Sequence, residues 1–191
     1  LFPNYKKSRR PMPDGLRSSI TQIMNRFGNE GVGTIIVPGF EADDLIASSS
    51  RKIVEAGGCV TVLSTDKSFC QLLSNAVAVY DHFSGRNHDR CYVQERFGVE
   101  PDQLVDLFAL AGDSSLDIPG VRGIGVHTAA KLLHHYGSLE DVLAVADKIP
   151  GSLGSKILKG KEAARLARRL VALCSSADVG ANLKKFRYLV N

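Results

Sequence analysis

Pro119-Gly120-Val121-Arg122-Gly123-Ile124-Gly125-Val126-His127-Thr128-Ala129-Ala130-Lys131-Leu132-Leu133 is a glycine turn that feeds the start of an alanine-rich helix. Glycine lets a backbone come close to a ligand. The unpaired N–H groups of a helix start hold a phosphate without reading bases. Gly120, Gly123, Gly125 and Thr128 lie in or just after the turn, and Lys131 falls one turn further along the helix. The run is not a dinucleotide fingerprint, because the third glycine is absent and a helical region rather than a strand precedes it. The structural alternative is a tight helix–helix connection with no ligand.

Outward from this turn the pattern is helical. Short helices are expected at Glu95–Phe97 and Pro101–Ala111 before it. Thr128–Tyr136, Ser138–Val145 with Ser138 as N-cap, and a basic helix Lys161–Cys174 are expected after it. Upstream the periodicity changes. Thr34–Val37, Cys59–Ser64 and Ala76–Tyr80 are short apolar, β-branched runs, and helical patterns at Leu16–Phe27, Ala42–Ala56 and Phe69–Leu73 flank them. Such alternation predicts a parallel sheet covered by helices. The expected fold is therefore α/β, with an α/β part over 1–92 and a helical part over 93–191.

Of the 191 residues 44% are apolar, which excludes a disordered chain, a collagen and a coiled coil. No apolar run approaches the roughly 20 residues a membrane helix needs. The first residues lack a signal-peptide core and do not begin with Met, which reads as a fragment or a processed form of an intracellular protein. The spacing of Cys59, Cys70, Cys91 and Cys174 matches no zinc or redox pattern, and buried reduced thiols are expected. Charge is uneven: residues 1–120 hold 12 basic and 15 acidic side chains, whereas residues 121–191 hold 12 and 5. Acidic clusters can hold divalent metals, and basic stretches can hold phosphates.

Ligands of open parallel sheets collect at the carboxyl ends of the strands. Glu41-Ala42-Asp43-Asp44 follows the first expected strand, Asp66 follows the second, and Asp113 follows the helix 101–111 with Asp117 four residues on. Each alone has a structural reading as a cap or turn residue. Three acids within four residues exceed what a cap requires, and they repel one another unless a cation neutralises them. Carboxylates from separate loops suit Mg²⁺. Two such ions about 4 Å apart activate water and stabilise the leaving oxygen in phosphodiester cleavage.

Five stretches occur together: Leu1-Phe2-Pro3-Asn4-Tyr5-Lys6 with Arg9, Glu41–Asp44, Ser64-Thr65-Asp66-Lys67, Gly112-Asp113-Ser114-Ser115, and the turn from Pro119. In this order they resemble the 5′–3′ exonuclease and flap endonuclease family. That family includes nuclease domains of bacterial family-A DNA polymerases, phage 5′ nucleases and stand-alone bacterial exonuclease-like proteins. The resemblance runs from Leu1 to about Ser175. It implies a Rossmann-like (PIN-like) nuclease core, with N-terminal strands absent from this chain, and a helix–hairpin–helix-type DNA clamp. It implies that Glu41, Asp43, Asp44, Asp66 and Asp113 hold Mg²⁺, with Mn²⁺ as an alternative. It further implies that Lys6 and Arg9 contact the scissile phosphate and that the hairpin takes K⁺ on its carbonyls. Two departures stand out: Ser68 and Leu116 occupy positions where the family carries carboxylates, and the stand-alone subgroup, whose second metal site is eroded, looks closest at 64–73.

The expected function is metal-dependent hydrolysis of phosphodiester bonds at DNA 5′ ends or branched structures. Asp113 is expected to support a second, weaker ion, and the hairpin to grip the duplex backbone. The alternative is a structure-specific DNA-binding module of the same fold with weak or lost cleavage. The oligomeric state has no sequence signal. Arg165, Arg168 and Arg169 form a basic helical face suited either to solvent or to phosphate. His134 and His135 read as ordinary surface or core histidines, and Arg86, His88 and Arg90 lie in a polar loop.

Overall fold

The computed structural model describes residues 2–8, 10–180 and 183–188. Arg9, expected to contact phosphate, lies outside the described residues. The chain divides into two compact units, one of residues 1–7 and 59–173, the other of residues 8–58 and 174–191.

The first unit opens on a sheet. Val60–Leu63 (β1) and Val77–Asp81 (β2) pair in parallel, Val60 opposite Val77 and Leu63 opposite Tyr80, and Arg86–Asn87 (β3) returns antiparallel to β2. The β-branched residues favour the pleat, and Val62, Val77 and Val79 turn inward. A 3₁₀ helix, Lys67–Leu72, links β1 to β2. Arg90–Phe97 (α3) follows, started by the Asp89 carboxylate accepting from Tyr92 N–H and ended by Gly98 in the left-handed region.

Leu104–Ala111 (α4) is apolar nearly all round and is buried on nearly every side, as such a pattern requires. It packs against Val126–Tyr136 (α5) and Gly151–Val171 (α7), with Leu139–Ala144 (α6) beside it. Leu107, Leu110, Leu133, Leu139, Leu143 and Ile157 are fully buried here. Each contributes roughly 1.5–3 kcal/mol by leaving water. One polar group sits in this core. Asp106 accepts from the backbone N–H of Leu139 at 2.8 Å and from Nε of Arg168 at 2.8 Å, joining α4, α6 and α7.

Beyond α4 the chain forms a two-strand ladder, Gly112–Asp113 (β4) against Ile118–Pro119 (β5). The ladder closes tightly: a Cβ on Gly120 would stand 2.2 Å from the Gly112 nitrogen and 2.4 Å from the Leu110 oxygen. Only glycine fits there.

The second unit holds Asp14–Asn29 (α1) and Ala42–Glu55 (α2). Leu45 packs with Ala177 and Val179, flanked by Ile35 and Val37. Ser48 Oγ donates to Cys174 O and accepts from Ala177 N–H, each at 3.0 Å, so the segment after 173 is stitched to α2. α1 buries no residue.

Most expected elements are present, with shifts. The basic helix begins ten residues early, at Gly151 instead of Lys161. Thr34–Val37 is not a strand. A strand is completed by a partner's backbone groups, and this unit offers no second strand among its described residues. The thiols also depart from expectation. All four are free, but only Cys70 is buried, where loss of hydration pushes its pKa up to about 11, while Cys59 and Cys91 are exposed. No helix among the described residues is long and apolar enough to cross a membrane.

Asp106→Ala should cost about 1–3 kcal/mol, since it leaves the buried Leu139 N–H without its acceptor and releases the half-exposed Arg168 to water. Asp106→Asn, which keeps an acceptor, should cost less. Urea unfolding of the three proteins measures the difference.

Candidate functional site

Three of the expected stretches meet in the first unit. β1 ends at Leu63, and the Ser64 hydroxyl accepts from the Asp66 N–H at 3.0 Å. The Asp66 carboxylate then accepts from the Ser68 N–H at 2.8 Å and starts the 3₁₀ helix. Ser68, standing where the resembled family has a carboxylate, has a buried hydroxyl without a hydrogen-bond partner. Lys67, the next residue after Asp66, reaches the loop after α4, where its ammonium lies 2.9 Å from Asp113 Oδ2 and 4.8 Å from the Phe108 ring centroid.

Asp113 is 6% exposed. Its other oxygen, Oδ1, accepts from the Ser115 N–H at 2.9 Å and the Ser115 hydroxyl at 2.6 Å. Burial opposes the charged form, but the Ser115 hydrogen bond and the Lys67 ammonium outweigh it and hold the carboxyl below its usual range. The same loop binds the N-terminal turn: Lys6 N–H donates to Leu116 O at 3.1 Å. Lys6 sits in the left-handed region, φ 55°, with its ammonium 4.9 Å from the Tyr5 ring centroid. Asp117, also left-handed at φ 54°, closes the short turn after Ser114. Lys6, Asp66 and Asp113 thus come from three loops of one unit. Asp66 lines a cleft of about 450 Å³ with Thr65, Lys67 and Ser115.

The remaining carboxylates belong to the second unit. Glu41 precedes α2 as its N-cap, and Asp43 and Asp44 occupy the first turn, where negative charge complements the helix dipole. Asp44 Oδ1 accepts from the Cys174 N–H at 2.8 Å. Among the described residues no three His, Cys, Asp or Glu side chains group closely enough to hold a metal by themselves. The donors are nonetheless of the right kind, since Mg²⁺ is commonly held by one or two carboxylates, with waters and phosphate completing its shell.

The glycine turn is anchored and then exposed. Val121 N–H donates to Leu110 O at 2.8 Å, and Ile124 is 3% exposed. Gly123 is left-handed, φ 81°, and its carbonyl accepts from Lys156 Nζ at 3.5 Å. Gly125 is the N-cap of α5, with no side chain capping the helix and open space around it. Lys131 is exposed and Thr128 is half-buried. Gly120 separates from this set: its backbone is packed against Gly112.

On α7, Arg165, Arg168 and Arg169 are all exposed, and two of them have acidic partners. Arg165 pairs with Glu140 at 3.1 Å and Glu162 at 3.3 Å, and Arg168 is bound to Asp106. Lys67 and Lys156 act on Asp113 and Gly123 across long sequence separations, and no local pattern announces either contact. Lys67→Met should cost about 3 kcal/mol by stranding a buried carboxylate, and adding Asp113→Leu should recover part of it. Denaturation midpoints of the single and double variants check this.

Residues 1–98 match the model of the 5′–3′ exonuclease N-terminal resolvase-like domain, and residues 99–190 match the 5′–3′ exonuclease C-terminal SAM fold. The flap endonuclease Xni of Pectobacterium carotovorum subsp. carotovorum is 42% identical over 187 residues, spanning 98% of this chain and 72% of that protein. The fold is shared with a bacteriophage T5 5′-exonuclease structure with bound zinc, at TM-score 0.79 and 22% identity over 91% of this chain and 69% of that one. It is shared also with a T5 flap endonuclease pseudo-enzyme–product complex with DNA and metal ions, at TM-score 0.76 and 22% identity over 97% of this chain and 75% of that one. With both halves matched in order and a relative this similar along nearly the whole of this chain, the chain belongs to the 5′–3′ exonuclease family.

Proposed function

We propose that this chain is a metal-dependent 5′–3′ exonuclease or flap endonuclease acting on DNA 5′ ends or branches inside the cell. The observation that supports the reading is the docking of the Tyr5-Lys6 turn onto the loop of Asp113, where the Lys6 backbone N–H donates to Leu116 O. Glu41, Asp43, Asp44 and Asp66 are the proposed Mg²⁺ ligands, with Mn²⁺ as an alternative, and Asp113 supports a weaker second ion in competition with Lys67. When bound, the metal supplies an activated water for attack on phosphorus. Lys6 and Arg9 steady the scissile phosphate and the charge that develops on it. Residues 1–92, together with Asp113, carry the chemistry.

Residues 93–191 carry the grip. Gly123, Gly125, Thr128 and Lys131 hold the duplex backbone without reading bases, as an uncapped helix start permits. K⁺ on the hairpin carbonyls would share that position with the Lys156 ammonium. A second reading is a DNA-binding module with weak or lost cleavage. The observation favouring it is the Lys67–Asp113 pair, together with Ser68 and Leu116 at carboxylate positions.

A 5′-labelled flap duplex separates the two. Mg²⁺-dependent cutting that EDTA stops supports the nuclease, and binding without cutting supports the module. Asp44→Asn keeps an acceptor for the Cys174 N–H while removing the charge. It should lower cleavage beyond the roughly 10–100-fold that outer-shell partners of a metal are worth, with binding intact. Lys131→Ala should weaken binding to all sequences alike and reduce the salt slope by about 1 in an anisotropy titration. A base-dependent loss would contradict backbone contact.

A further inference from the structure

The hairpin between β2 and β3 is built to hold an aromatic ring in water. Asp81, the last residue of β2, accepts from the Phe83 N–H at 2.9 Å, the Ser84 N–H at 3.2 Å and the Ser84 hydroxyl at 2.7 Å. Gly85, left-handed at φ 67°, returns the chain into β3. This turn is well determined, yet its tip adds nothing to the core: Phe83 is 82% exposed, with the His82 ring centroid 4.1 Å away. Phe83 therefore gains little by burial, and its ring stands open to solvent on a turn held by three hydrogen bonds.

The same turn forms one wall of the cleft beside Asp66. Asp81 and Ser84, on either side of Phe83, line it, and Arg86 and Arg96 bring guanidinium groups to it. Neither arginine joins the ion pairs found among the described residues, although the Arg96 guanidinium lies 5.6 Å from the ring centroids of Tyr92 and Phe97, whereas Lys67 is held by Asp113. His88 also lines the cleft. It is 6% exposed, its ring is stacked on Tyr92 at 4.0 Å, and its Nδ1 has no hydrogen-bond partner. Its Nε2 lies 3.8 Å from Asp81. The two carboxylates of the cleft are engaged locally, Asp81 by its own turn and Asp66 by the Ser68 N–H. The cleft therefore offers two guanidinium groups and an unsatisfied buried imidazole nitrogen, and the exposed Phe83 belongs to the turn whose Asp81 and Ser84 line it.

A charged group and a flat face are the two halves of a nucleotide. We propose that the β2–β3 hairpin and this cleft form a subsite for one unpaired nucleotide, the phosphate lying against Arg86 and Arg96 and the base stacking on Phe83. Stacking requires a base whose face is open, which selects single-stranded over duplex nucleic acid, and every base has such a face, so the subsite is sequence-tolerant. The proposal rests on the nuclease reading for its substrate, but not on cleavage.

The test is a flap duplex carrying 2-aminopurine in its unpaired 5′ arm, titrated with the full chain in EDTA so that nothing is cut. Wild-type protein should quench the fluorophore. Phe83→Ala should lose the quench and weaken binding about five- to tenfold, Phe83→Tyr should restore both, and a blunt duplex should bind both proteins alike. Arg86→Gln should weaken flap binding and lower the salt slope by about 1. Tighter binding of a 5′-phosphorylated arm than of a 5′-hydroxyl arm would assign the anion to a terminal monoester, and equal binding would assign it to a diester. An unchanged quench and affinity in Phe83→Ala, an equal loss on the blunt duplex, or no quench by the wild type would each overturn the proposal. Cleavage of the same flap by wild type in Mg²⁺ is scored separately: a quench without cutting strikes the nuclease reading and leaves the subsite standing.

Discussion

A single buried carboxylate ties the helical half of the first unit together. Asp106 binds the first N–H of α6 and the side chain of Arg168 on α7, so α4 is clamped to both neighbours through one group. The segment leaving the end of α4 inherits that constraint. Gly112 and Gly120 close the ladder there, and Val121 hydrogen-bonds to Leu110, the penultimate residue of α4. The hairpin and the Asp113 loop are thus held by the same helix. A buried charge that binds two partners well is costly to disturb, and this gives the surrounding loops a fixed base.

Much of the architecture was legible because it is local. β1, β2, α2 and α4 declare themselves by apolar period, and Ser138 by its capping role, since each signal lies within a few residues of the element it makes. Thr34–Val37 has the composition of a strand without the partner that would complete one, and composition alone does not supply a ladder. Gly120 reads like a ligand-facing glycine because close approach to a phosphate and close approach to another backbone ask for the same missing side chain.

The site was legible as residue types and less so as partnerships. Asp66 and Asp113 stand out as acids at the ends of elements, but the pairing of Lys67 with Asp113 joins segments far apart in sequence. The arginines of α7 show the same limit: Arg168 reaches Asp106 and Arg165 pairs with Glu140, partnerships between segments far apart in sequence, while all three side chains stay exposed. Charge counted along a helix overstates the field that a ligand meets once the cations have partners.

The Lys67 ammonium is a tethered cation. A bound ion can be stripped by a chelator or diluted away, but an ammonium on the protein's own chain stays at unit effective occupancy. The charge of Asp113 therefore has a counterion within the chain itself, in the loop that also receives Lys6. Around this carboxylate, order is inherited from translation and not acquired from the medium.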